Sequence, residues 1–161
     1  MNNLLQYIKN KNLFTVFICL FLIDLGLGHL FPWLCEIFQG ERACNIEQFK
    51  PNEKLGYIFF LSVIIAPLFE TLVCQLCIIE LILFYKGKQR EIIAILSSGF
   101  VFAIGHFSYG NVWFTVNTLI SGCLLGILYL AFRAKNSSPF WITTLFHGLY
   151  NLYVFSLNNL L

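Results

Sequence analysis

The sequence predicts an all-α polytopic membrane protein with about five transmembrane helices, and three observations carry that prediction. Hydrophobic residues make up 58% of the 161 positions and charged residues only 11%, against roughly a quarter charged in a soluble domain. That leaves too little polar surface to cover a water-soluble globule, so apolar surface must face lipid. Five apolar stretches, at about 13–31, 56–84, 92–109, 112–132 and 139–157, are each long enough to cross a bilayer with tilt. Backbone in lipid must satisfy its own hydrogen bonds, so all five are read as helices. They consume most of a chain whose length suits one domain, residues 1–161.

The first span follows Lys9 and Lys11. No small-x-small cleavage site follows it, so it is kept as a helix rather than a signal peptide, with Pro32 closing it. Residues 36–55 intersperse Glu36, Glu41, Arg42, Glu47, Lys50, Glu53 and Lys54 with apolar positions, the pattern of a short interfacial helix on the outer surface. Cys35 and Cys44 share that loop; an oxidising compartment would allow a disulfide, and two free thiols are an equal alternative. The second span ends at Lys86-Gly87-Lys88-Gln89-Arg90, the third at Ser108-Tyr109-Gly110-Asn111, and the fourth is separated from the fifth by Arg133 to Pro139. With the N-terminus cytoplasmic, Lys9, Lys11, Lys86, Lys88, Arg90, Arg133 and Lys135 all lie inside, and only Arg42, Lys50 and Lys54 lie outside. The positive-inside bias supports that orientation, which leaves the C-terminus outside.

Composition also excludes some functions. A net charge of +2 with no basic run interleaved with aromatics sets a nucleic-acid partner aside. The six cysteines form no paired C-x-x-C modules of a zinc ribbon, and Cys74-x-x-Cys77 is read as lipid-buried packing rather than a redox pair.

A charge at the bilayer centre costs roughly 3 kcal/mol, so each ionisable residue in a span needs a reason. Glu80, near the cytoplasmic end of its helix, can snorkel to water, and His29 lies near the outer end of the first span. Asp24 has no spaced partner on its own helix and is read as a structural hydrogen-bonding group. Glu70 sits mid-span, three residues after Pro67, which removes a backbone donor and loosens the helix there. At about 1.5 Å per residue from the cytoplasmic ends, Glu70 and His106 lie roughly 21 Å up, His147 roughly 12 Å and Asn151 roughly 18 Å. His147 and Asn151 share one helix face, as do Phe102 and His106. A carboxylate, two imidazoles and an amide near one level are expensive to keep for packing alone.

The set has a chemistry. There is no H-E-x-x-H zinc motif, no Gly-x-Ser-Gly and only one Asp, which leaves Glu and His. A glutamate beside a histidine can hold and deprotonate water, and a second histidine with an asparagine on one face can donate to the oxyanion of a tetrahedral intermediate.

These residues resemble the CAAX prenyl protease and bacteriocin-processing (CPBP, or Abi) intramembrane proteases, whose motifs run E-E-x-x-x-R, F-x-x-x-H and H-x-x-x-N/D on successive helices. Here they stand as Glu70-Thr71-x-x-x-Gln75, Phe102-x-x-x-His106 and His147-x-x-x-Asn151, over about residues 60–155. The resemblance implies an intramembrane peptidase of the glutamic type without a metal cofactor. Glu70 and His106 would activate water, and His147 and Asn151 would form the oxyanion hole. Phe102, Thr71 and Gln75 would bind substrate or support the site. Zinc held by Glu70, His106 and His147 is the second choice, because Asn151 would then be idle. Thr71 and Gln75 replace the family's Glu and Arg together, which keeps the site neutral. With fewer spans than the prenyl proteases, the expected substrate is a membrane-embedded peptide, a C-terminal sorting helix or a leader, in a bacterial inner membrane. The alternatives are a catalytically inactive member acting as an immunity or scaffold protein and, further off, a proton or ion pathway through Asp24, Glu70 and the histidines.

Overall fold

A computed structural model describes residues 10–40, 54–109 and 111–159. Five long helices account for nearly all of them, and no strand occurs among the described residues. Helix α1, Leu13–Gln39, begins at Asn12, whose side chain accepts the Phe14 N–H at 2.9 Å as an N-cap. It does not stop before Pro32 as expected from the sequence, but continues to Gly40, which closes it with φ 82°. In an apolar environment, Pro32 sacrifices only the donor to the Gly28 carbonyl, whereas ending the helix there would orphan a full turn of donors and acceptors. Residues 36–39 of the expected interfacial helix therefore belong to α1, and positions 41–53 lie outside the described residues. Cys35 is disulfide-bonded, which decides against a free thiol there; Cys44 lies outside the described residues.

Helix α2, Leu55–Phe84, is one apolar rod of 30 residues. Two π-helical segments, Phe60–Ile65 and Thr71–Cys77, flank an α-helical turn, Ala66–Glu70. Helix α3, Arg90–His106, runs into a 3-10 turn at Phe107–Tyr109. Helix α4, Val112–Arg133, is capped by Asn111, whose side chain accepts from Trp113 and Phe114 N–H at 2.8 and 3.2 Å. Asn136 and Ser138 adopt left-handed conformations (φ 53° and 47°) in the turn to α5, Pro139–Asn159. Asparagine tolerates that region better than most residues.

Helices α1, α2 and α4 are long and apolar enough to cross a membrane. Helix α3 has only 17 residues, and α5 carries Thr143, Thr144, His147 and Asn151. The buried apolar core gathers at the end of the bundle that holds the α2–α3 and α4–α5 connections: Ile79 and Leu83, Ala94 and Ile95, Leu128 and Phe132, closed by Phe146. Above it, Asp24, 2% exposed, accepts a hydrogen bond from Ser121 Oγ at 2.5 Å and so finds its partner on α4. Cys74 is buried and Cys77 exposed, both as free thiols.

The most extensive contact is between α3 and α4, and small residues make it possible. A Cβ on Gly122 would sit 2.9 Å from Gly99 Cα and 2.8 Å from Phe102 Cβ. Backbones can approach this closely only where side chains are missing.

Glu80 does not simply snorkel. Its carboxylate takes a fork from Arg133 (Nε 2.6 Å, Nη2 2.8 Å) and the Tyr129 hydroxyl at 3.0 Å, tying α2 to α4. Both charged side chains are more than a third exposed, so the bidentate geometry is discounted by solvent screening to about 1 kcal/mol. Glu80→Ala and Arg133→Ala are each expected to lower the unfolding free energy by about that much in mixed detergent micelles. The double variant should lose no more than Glu80→Ala alone, since that change already removes the Arg133 fork along with the Tyr129 bond; additive losses would contradict the pairing.

Candidate active site

Pro67 has no N–H to give, and it sits between the two π segments that bracket the turn bearing Glu70. Such segments recur at functional sites because they turn side chains off the ordinary helical face. Glu70 emerges from this turn with its side chain 27% exposed, the one carboxylate placed mid-helix in α2. Its Oε2 lies 3.6 Å from His147 Nε2 on α5. That separation exceeds a hydrogen bond and is one that substrate binding commonly tightens.

His106 stands at the last position of α3. Its Nδ1 is 2.8 Å from the Phe102 carbonyl, and a carbonyl only accepts, so the proton resides on Nδ1 and Nε2 carries the lone pair. The tie is one helical turn long, which explains the four-residue spacing. The buried Phe102 ring serves both histidines: its centroid is 4.6 Å from that of His106 and 5.4 Å, edge-on, from that of His147. Gly122 seats Phe102 from behind. The packing of α3 on α4 thereby sets the orientation of the imidazoles.

His147 is 5% exposed and its Nδ1 has no hydrogen-bond partner among the described residues. Asn151, one turn on, donates from Nδ2 to the Ser62 carbonyl of α2 at 2.8 Å, which leaves its second N–H. The structure thus brings Glu70, His147 and Asn151 together along the α2–α5 contact and hangs His106 beside them through Phe102. Glu70 Oε2 approaches His147 Nε2, while the sequence reading set Glu70 beside His106.

Thr71 and Gln75 are both 0% exposed. Gln75 Nε2 reaches Ser98 Oγ at 3.4 Å. These two positions are buried inside the bundle. Five of the six buried side-chain atoms without a partner among the described residues belong to Thr71, Gln75, Thr143, Thr144 and His147. Sequence reasoning missed Ser62, Ser98, Thr143 and Gly148. Thr143 could have been found, since it precedes His147 by one turn; Ser62 carries no signal, because its contribution is a backbone oxygen. Among the described residues, no three His, Cys, Asp or Glu side chains converge as a metal-holding group.

A family model described as type II CAAX prenyl endopeptidase, Rce1-like, matches residues 52–153, more than half of the chain. The matched region holds Glu70, His106, His147 and Asn151. No curated protein and no solved structure matches. The chain belongs to the Rce1-like family of type II CAAX prenyl endopeptidases. With its apolar helices, that makes it an integral membrane protein of a peptidase family.

Proposed function

With that membership as the premise, we propose that this protein is an intramembrane endopeptidase of five spans that hydrolyses a membrane-embedded peptide, a C-terminal sorting helix or a leader. The observation that carries the reading is a partly open mid-helix carboxylate 3.6 Å from a buried imidazole, with a second imidazole held on the same phenylalanine.

In the reaction, a water held between Glu70 and His106 Nε2 attacks the scissile carbonyl carbon and passes a proton to Glu70. The oxygen of the tetrahedral intermediate takes donation from His147 Nε2–H and the second N–H of Asn151. Collapse breaks the C–N bond as Glu70 returns the proton to the leaving nitrogen, so atoms and charge balance within the site. Removing an oxyanion donor lowers turnover by about 10²–10³, the loss expected of His147→Ala.

The substrate enters from the outer half of a bacterial inner membrane, with the N-terminus cytoplasmic and the C-terminus outside. The disulfide at Cys35 and the cluster Lys86, Lys88, Arg90, Arg133 and Lys135 at the opposite end of the bundle support this orientation. The chemistry proceeds without a metal. Treatment with a strong zinc chelator is therefore expected to leave cleavage unchanged, and loss restored by added zinc would overturn that part. The test of the whole is to express wild type and Glu70→Ala in membranes and compare secreted and membrane peptides by mass spectrometry. Truncated products confined to the wild type support the reading. Identical peptide sets, with some membrane peptide retained equally by both, would favour an inactive binding protein instead.

A further inference from the structure

Helices α2 and α5 meet at a second point, and the chemistry there is not consumed by the reaction above. Asn151 Nδ2 donates to the Ser62 carbonyl at 2.8 Å. In an uninterrupted helix that oxygen would be satisfied from within. Here the Ala66 N–H bonds five residues back, to Leu61, in the π register. The next donor in that register would come from residue 67, which is proline and has none. The Ser62 carbonyl is thus left over by the combination of π segment and Pro67, in an environment where water does not supply a replacement. Asn151 supplies the missing donor from the neighbouring helix. Gly148, three residues earlier, lets the helices close: a Cβ there would stand 3.1 Å from the Val63 carbonyl.

The two contacts straddle Pro67. Asn151 holds Ser62 before it, and His147 meets Glu70 after it. A π segment holds one residue more than the α-helical turn it replaces, so its relaxation would rotate the rest of the helix by about 100°. Glu70 would then leave the face that meets α5.

We propose that Asn151 is a positioning residue: it replaces the donor that Pro67 removes, holds the Phe60–Ile65 π segment in register against α5, and thereby keeps Glu70 opposite His147. This rests on the reading of Glu70 and His147 as catalytic partners, and it adds a duty to Asn151 beyond its second N–H.

The test uses the ring ¹⁵N resonances of the full chain in nanodiscs. The protein has only three histidines, His29, His106 and His147, and the His147 signals are assigned by their loss in His147→Gln. Asn151→Leu, close in size but without a donor, is expected to move the His147 resonances in the direction that Glu70→Gln does and to leave those of His29 in place. Pro67→Ala restores an N–H that can reach Ser62 in the π register; in the α register, the Ala66 N–H reaches it. Added to Asn151→Leu, it should return the His147 resonances most of the way to the wild-type positions. Unmoved His147 signals in Asn151→Leu, or a double variant no different from it, would overturn the proposal. Should Asn151→Leu not fold, recovery of folded protein by Pro67→Ala supports the tie and its failure overturns it. Because the readout needs no substrate, it is independent of whether the cleavage experiment succeeds.

Discussion

Glu70→Gln is expected to abolish peptide release while the protein stays folded. The substitution keeps the shape of the side chain and removes the base, and loss of a positioned general base typically lowers turnover by about 10²–10⁴. Stability should not fall with it. Glu70 is partly exposed and its 3.6 Å approach to His147 is longer than a hydrogen bond, so little binding is lost, and a neutral amide is cheaper than a carboxylate in lipid. The melting temperature is therefore expected to match or exceed that of the wild type, as is common when a functional group is removed from a site kept for activity rather than stability. His106→Ala should likewise abolish peptide release. Measured turnover within tenfold of wild type in Glu70→Gln would remove Glu70 from the chemistry.

Gly122→Val is expected to produce the largest loss of stability of any single change named here. A Cβ at this position meets Phe102 Cβ at 2.8 Å and Gly99 Cα at 2.9 Å. Neither is the far end of a flexible side chain, so α3 and α4 must move apart. Overpacking a closed interface costs about 1–3 kcal/mol and sometimes more, and a branched side chain between two backbones belongs at the top of that range. Gly105→Ala on α3 is the control. Nothing lies within 4 Å of a Cβ there, and alanine favours a helix over glycine by about 0.8–1 kcal/mol. Thermal unfolding in detergent should therefore separate the two variants in opposite directions. Cleavage should fall further in Gly122→Val than its residual folded fraction explains, because Phe102 carries both imidazoles. Equal stability of Gly122→Val and wild type would show that the helices are not as closely packed as described.

Much of the architecture was legible because lipid admits few solutions. Long apolar runs, separated by Lys86–Arg90 and by Arg133–Pro139, had to be helices, and α2, α4 and α5 begin within one residue of where the runs do. Pro32 misled because its local tendency to end a helix was outweighed by the cost of leaving backbone unpaired in lipid. The importance of Glu70 and the histidines was legible for the opposite reason: few polar residues occur in these spans, and each one is costly.

Pairing was not legible. Depth estimates placed Glu70 and His106 at one level, and the structure sets the Glu70 carboxylate 3.6 Å from His147. Rise along a helix gives height and says nothing about which neighbour a face meets. Nor did the pattern indicate that Glu80 is shared by Tyr129 and Arg133, or that Thr71 and Gln75 turn into the bundle.

The amino-acid sequence alone determined that this chain lives in a membrane as helices, and which polar residues within them need explanation. Both follow from the free energy of moving groups between water and lipid, a property of each residue by itself. Which of those residues meet was decided only by the tertiary structure. Two glycines draw α3 onto α4, a proline and a π segment turn α2, and the Asn151 amide finds a carbonyl 89 positions away. Such contacts depend on the relative rotation of packed helices, to which the energy of any one span is indifferent.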